Sequence, residues 1–419
     1  MPTIKRLSAW EILDSRGRPT VRCTCVLESG VSGSASVPSG ASTGSAEALE
    51  LRDGDPKRYR GLGCRKAVAN INGELHKALA GQTYRQTQLD ETLLILDGTP
   101  NKSRLGANAI LAVSLAYARA TAMDHRVSLF RYLEVFLERP VRTLPRPTIN
   151  LFSGGKHAGG QVPIQDVLVV PVSARTIDEA LTMTYEVYQA ATELTQRKYG
   201  ARPLAADEGG LAPPFPNADA MLADAVESIV AAGFTPGRDV ALAVDVAASH
   251  FFDGRRYQLG EQSLDSAAMI EKLLKWLEAF PIVSIEDGLA ESDWENWPKL
   301  RERVAGRALV VGDDLLCTNP KLIRRAIDAR AADTLLLKVN QIGTLSEAAE
   351  ALHVARAAGW RVVVSARSGE TEDDWLADLA VGWGGDQIKI GSITRSERLA
   401  KYNRLLAIAA ETNLPLAPL

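Results

Sequence analysis

Cysteine is scarce in this chain, with four among 419 residues. Cys23, Cys25, Cys64 and Cys317 show no C-x-x-C spacing. No disulfide framework is indicated, and a reduced, cytoplasmic setting is expected. Cys23 and Cys25 fall two apart, on one face of a strand, and read as core packing. An excess of one charge sign is also missing. Lys and Arg number 48 against 51 Asp and Glu, a formal net charge of -3. Neither nucleic acid nor an anionic membrane surface is therefore an expected partner. No basic run, heptad array or low-complexity tail occurs. No stretch approaches the roughly 18 apolar residues of a membrane span. The opening Met1-Pro-Thr-Ile-Lys-Arg6 lacks the apolar core of a signal peptide. What is present, 46% hydrophobic and 24% charged residues, describes an ordinary soluble protein with a large core and roughly two or three domains.

The stretch that organises the chain is Ile282-Val-Ser-Ile-Glu-Asp-Gly-Leu-Ala-Glu-Ser-Asp-Trp294. A short apolar run ends in two carboxylates, Glu286 and Asp287. A buried strand that delivers acids at its C-terminal end is costly unless something cationic waits there. The pattern repeats. Val240–Val244 ends in Asp245, Ala308–Gly312 in Asp313 and Asp314, and Thr334–Leu337 in Lys338. Arg361–Ser365 runs into Ala366-Arg367-Ser368, and Gln387-Ile388 ends in Lys389. From Asp245 through Glu286, Asp313, Lys338 and Arg367 to Lys389 the steps are 41, 27, 25, 29 and 22 residues. Each step fits one strand–helix unit. The region after residue 140, about 280 residues, fits a closed (β/α)8 barrel whose strand ends line one mouth. A doubly wound open sheet is the fold alternative, and it would bring only a few of these ends to one crevice.

Before that region, residues 1–135 read as a separate mixed segment. Thr20 to Glu28 alternates as a half-buried antiparallel strand, Ser29-Gly30 turns it, and Ser34 to Val37 pairs back. The Gly/Ser-rich stretch 38–45 is expected to be a mobile surface loop. Gly106 to Arg119 reads as a buried helix of small residues. Pro140, Pro145 and Pro147 mark the domain boundary, which leaves 140–419 for the barrel. Ser263 to Phe280 is expected to be an amphipathic helix. Asn319-Pro320 and the capping box Thr344-Leu-Ser-Glu347 start two more.

Asp245, Glu286 and Asp313 at neighbouring strand ends would raise one another's pKa values. A hard divalent cation resolves this, and oxygen-only ligands point to Mg²⁺. For any one acid alone, a helix cap or a surface ion pair is the plainer reading. Lys338 and Lys389 end apolar strands. A lysine beside a divalent ion is pushed toward the neutral amine and becomes a base, or it serves simply as a counter-charge. Glu208 sits on a Gly-rich turn, as a positioned acid or a turn residue. His157 lies in Gly154-Gly-Lys-His-Ala-Gly-Gly160, read as a second mobile loop. Arg367 and Ser368 suit a phosphate. His76, His125, His250 and His353 read as structural or surface residues.

The motifs resemble the enolase family over nearly the whole chain. They include Glu11-Ile-Leu-Asp-Ser-Arg-Gly17, Val37-Pro-Ser-Gly-Ala-Ser-Thr-Gly44, Glu50-Leu-Arg-Asp-Gly54 and Leu105-Gly-Ala-Asn-Ala-Ile110. They continue through Asp207–Gly210, Ser284–Asp287, Gly312–Asp314, Lys338-Val-Asn-Gln-Ile-Gly-Thr344, Ser368–Asp373 and Lys401-Tyr-Asn403. The resemblance implies an N-terminal α+β domain, a barrel with irregular early units, a homodimer or higher homo-oligomer, and dehydration of 2-phosphoglycerate to phosphoenolpyruvate. By the same likeness Asp245, Glu286 and Asp313 match ligands of a first Mg²⁺. Ser42 matches a loop residue that helps bind a second with the substrate. Lys338 matches the base and Glu208 the acid that assists the leaving hydroxide. Arg367 and Ser368 match phosphate contacts, and Lys389 a carboxylate contact.

This chain also departs from the family's pattern. Ala366 replaces a His before Arg-Ser. Gln165-Asp166 replaces Gln-Glu, and so shortens a carboxylate by about one methylene. Lys156 adds a cation beside His157. Gly288 replaces Pro, and His250 replaces Glu. These changes gather around the expected substrate position. They fit either an ordinary enolase-type reaction or a paralogue with a larger pocket, in which Ala366 and Asp166 give volume and Lys156 gives charge. Such a paralogue would resemble carboxyphosphonoenolpyruvate synthase, an enolase-like enzyme of phosphonate antibiotic pathways. The substrate would be a small phosphorylated or phosphonate hydroxy acid. A non-catalytic binding or structural protein on the same scaffold is the remaining class, and the intact candidate ligands, base and acid count against it.

Overall fold

A computed structural model describes residues 1–41, 43–137, 140–200 and 204–419. The chain begins with a three-stranded antiparallel sheet of β1 (Ile4–Leu13), β2 (Pro19–Leu27) and β3 (Ser32–Ser36). The β1–β2 turn is built by Asp14, whose Oδ1 accepts from the backbone N–H groups of Arg16 (2.8 Å) and Arg18 (2.9 Å). Cys23 and Cys25 both point into the core, with free, buried thiols. The helix Ala107–Asp124 lies across β2 and β3, and its alanines let it come close. Gly33 is the point of nearest approach. A methyl group there would lie 2.2 Å from the backbone nitrogen of Ala120. The helix runs five residues past the expected Arg119, because Ala120, Thr121 and Ala122 remain buried.

The rest is organised by a closed barrel. Its strands are β4 (Arg146–Ser153), β5 (Asp166–Val170), β6 (Ala241–Asp245), β9 (Ile282–Glu286), β10 (Leu309–Gly312), β11 (Thr334–Leu337), β12 (Arg361–Ser365) and β13 (Gln387–Gly391). A small hairpin, β7 (Tyr257–Leu259) with β8 (Gln262–Leu264), lies outside it. The barrel order is β10-β11-β12-β13-β4-β5-β6-β9. The open-sheet alternative is therefore excluded. Most neighbours are parallel, but β5 is antiparallel to both β4 and β6. The hairpin also corrects a helix boundary. The segment expected to be helical from Ser263 is helical only over Ser266–Ala279, because Gln262–Leu264 pair with β7 and Asp265 caps the helix by accepting from Ala268 N (2.8 Å).

The N-terminal part is locked to the mouth of the barrel. Ser39 and Gly369 exchange backbone hydrogen bonds of 2.8 and 2.9 Å, and Ser15 N donates to Glu370 O at 2.7 Å. Pro38 and Ser39 are buried, and a methyl on Gly44 would meet Cys317 Sγ at 2.4 Å. Within 38–45, Pro38, Ser39 and Gly44 are thus packed against the barrel, whereas Thr43 and Ser45 are exposed. None of the described helices is long and apolar enough to cross a membrane.

Candidate active site

The register explains why the charged strand ends meet. Asp245 ends β6 and lies opposite Glu286 at the end of β9; Glu286 in turn lies beside Val311, two residues before Asp313. On the other side Asp166 lies opposite Asp245. Asp166 opens its strand, but β5 runs backwards, so its start is at the mouth. Across the barrel Lys389 pairs with Ser365, just before Ala366.

The lysines sit among these acids. Lys389 Nζ donates to Asp245 Oδ2 and Glu286 Oε2, each at 2.7 Å. Lys338 Nζ donates to Asp313 Oδ2, and Gln341 Nε2 donates to Asp313 Oδ1 at 2.8 Å. Burial opposes ionisation of Asp245, but the charge and hydrogen bond of Lys389, together with the charges of Lys338 and His157, outweigh it and lower Asp245 to about 2. Glu286 is held well above the usual carboxylate range by burial and by the nearby charge of Asp245. Lys338 is raised: burial opposes the cation, but the surrounding carboxylates, Asp313 foremost and then Glu286, together prevail. With lysines between them, Asp245, Glu286 and Asp313 do not bring three oxygens within 4.8 Å of one another among the described residues. The trios that do are Asp287, Asp313, Asp314 and His157, Asp166, Glu208.

Two observations fit a hard cation at the strand ends. Glu286 Oε1 and Gln165 Oε1 are buried and have no hydrogen-bond partner among the described residues. Gln165 donates through Nε2 to Asp245 Oδ2 at 3.0 Å. Unsatisfied oxygens beside crowded carboxylates form the donor set that Mg²⁺ takes. Ser42 lies outside the described residues.

A second group sits on the β5 side. His157 lies in a short helical turn, Gly155–His157, and is buried, whereas its neighbour Lys156 is exposed. His157 Nδ1 is 2.9 Å from Asp166 Oδ2, Ser153 Oγ donates to Asp166 Oδ1 at 2.6 Å, and His157 Nε2 is 3.8 Å from Glu208 Oε1. Asn150 Nδ2 donates to Glu208 Oε2 at 3.0 Å. Burial works against the imidazolium, but Asp166 and then Glu208 outweigh it and raise His157 to about 9. The same pairing keeps Glu208 below its ordinary value although burial opposes this. Burial and then the Lys156 charge lower His250 to about 4.

The sign of the pH effect follows. A histidine raised in the fold contributes stability that is fully present below its unfolded value near 6.5 and is lost as pH climbs through about 9. The unfolding free energy measured by urea titration should fall over that window by on the order of 3 kcal/mol. His157→Gln should be less stable at pH 6 and lack that slope. A slope unchanged in the variant would assign it to other groups.

His157, Gln165, Glu208, Asp245, Lys338, Ala366, Arg367, Ser368 and Lys389 line one small cavity. Asp166, Glu286 and Asp313 stand behind it, and Lys156 is not on its wall. Arg367 is bonded to Glu47 from the N-terminal part (3.0 and 3.1 Å) and to Asn340 Oδ1 (2.9 Å). Ser368 Oγ accepts from Ala41 N (2.7 Å) and Arg16 (3.1 Å). Arg398 holds the backbone carbonyls of Arg367 and Ser368 at 2.7 and 2.6 Å. Sequence reasoning gave no role to Glu47, Gln341, Asn150, Arg16 or Arg398. Gln341 and Arg16 lie inside quoted motifs, and that was their only signal.

Two family models match the chain. The model for the enolase N-terminal domain covers residues 4–133, and that for the enolase C-terminal TIM barrel domain covers 141–414. Together they span nearly all of it, and the observed barrel and sheet agree with both. The chain belongs to the enolase family.

Proposed function

We propose that this protein is a Mg²⁺-dependent lyase that removes water from 2-phosphoglycerate to give phosphoenolpyruvate. Supporting this reading is one arrangement: Lys338 and Glu208 line the same cavity as Arg367 and Ser368, beside the carboxylates at the strand ends. Arg367 and Ser368 bind the phosphoryl group, and Lys389 the carboxylate. Lys338 Nζ takes the proton from the carbon next to the carboxylate. His157, the protonated member of its pair with Glu208, passes its proton by way of Glu208 to the departing hydroxide, which leaves as water. Asp245, Glu286 and Asp313 would hold the metal, with Ser42 assisting a second ion. Mg²⁺ held there would supply positive charge for the carboxylate as it gains its second negative charge, and Asp313, once engaged in holding the metal, would leave Lys338 free to act as the base. We read residues 1–135 and 140–419 as the two domains, and a cytoplasmic homodimer or higher homo-oligomer as the working form.

The test is absorbance from phosphoenolpyruvate when the folded protein is given Mg²⁺ and 2-phosphoglycerate. No product rejects this reaction.

One observation favours a second reading, a larger anionic substrate such as a phosphonate-bearing hydroxy acid. Ala366 puts only a methyl group on the cavity wall where the resembling sequences carry an imidazole. If the ordinary reaction is native but weakened, Ala366→His should raise kcat/KM for 2-phosphoglycerate by about tenfold or more. A loss on the same substitution favours the larger substrate.

A further inference from the structure

We propose that Glu47 is a positioning residue for anion binding. It fixes the Arg367 guanidinium from the side away from the cavity, so phosphate affinity depends on a carboxylate that the phosphate does not touch. Both side chains are nearly buried, at 2% exposure for Arg367 and 9% for Glu47. The pairing is bidentate, with NH1 to Oε2 at 3.0 Å and NH2 to Oε1 at 3.1 Å. Such a fork fixes the plane of a guanidinium. Arg367 is on the cavity wall and Glu47 is not. Glu47 is itself held: its Oε1 accepts from Gly44 N at 3.1 Å and from Gln341 Nε2 at 3.3 Å. Gln341 Nε2 also reaches Asp313, the partner of Lys338. One amide thus ties the anion end of the site to the end that carries the base.

The opposite role would be a carboxylate that competes with the anion for Arg367. The two roles differ in sign. Removing a competitor tightens phosphate binding, whereas removing a strut weakens it.

The inference rests on Arg367 as an anion contact, but not on turnover. Inorganic phosphate titrated into the Mg²⁺-loaded full chain, followed by calorimetry, is therefore the direct test. In Glu47→Gln the phosphate dissociation constant should rise about tenfold or more, the size expected for one charge-assisted bond. KM for 2-phosphoglycerate should rise with it, and the loss should fall on KM rather than kcat. Glu47→Asp, charged but shorter, should recover part of the affinity. Unchanged or tighter phosphate binding in folded Glu47→Gln overturns the proposal, as does a loss confined to kcat. If Glu47→Gln does not fold, Glu47→Asp decides: weaker phosphate binding at a native-like melting temperature supports it, and wild-type affinity overturns it. Wild-type protein that binds phosphate without dehydrating 2-phosphoglycerate removes the lyase reading and leaves this one standing. Wild-type protein that binds no phosphate overturns it.

Discussion

Lys338→Ala is expected to reduce dehydration of 2-phosphoglycerate by about 10²–10⁴-fold, the usual contribution of a positioned general base. The substitution removes the amine on the cavity wall that sits against Asp313. Asp313 keeps its hydrogen bond from Gln341 at 2.8 Å, so the fold should survive. A sharper readout than turnover is exchange of the substrate's α-proton with deuterated solvent. Wild-type protein should catalyse it, and the variant should not. Exchange that persisted in Lys338→Ala would assign the base to another group and remove the central step. A variant that loses exchange but still binds phosphate normally would place the loss in chemistry rather than in binding.

The largest effect on stability is expected at Lys389. Its ammonium lies 2.7 Å from both Asp245 and Glu286, all three side chains at 8% exposure or less. Lys389→Met keeps most of the stem and removes the charge. Two adjacent buried carboxylates are then left without a cation, a change expected to destabilise by about 3–5 kcal/mol. The loss should be smaller in acid, where those carboxylates take up protons. Mg²⁺ should restore much of it, and should stabilise the variant more than the wild type. Urea unfolding with and without Mg²⁺ measures both. Equal Mg²⁺ effects on the two proteins would mean that the cation does not bind at Asp245 and Glu286. Adding Asp245→Asn and Glu286→Gln to the variant should abolish the metal effect while recovering stability.

Much of this was legible in the residues. A strand that ends in an acid or a lysine announces itself, because an apolar run fixes what is buried and the charge fixes where burial stops. Repeated at steps of one strand–helix unit, from Asp245 to Lys389, the pattern implied a barrel mouth. The closed barrel observed between β10 and β9 is its outcome. Asp166 shows where such reasoning stops. It opens a strand, which in an all-parallel barrel would place it at the far end. Only the reversal of β5 brings it to the mouth, where it faces His157.

The sequence by itself determined the family, the order of elements and the residue types gathered at the strand ends. It did so because periodicity and local motifs are properties of neighbouring residues. The tertiary structure decided the partners. Lys389 finds Asp245 across 144 residues and Arg367 finds Glu47 across 320. The lysines consequently sit between the acids, and the Arg367 side of the barrel mouth is held by the N-terminal part. Such pairings follow from strand register and from how the two parts dock, and no local pattern encodes either.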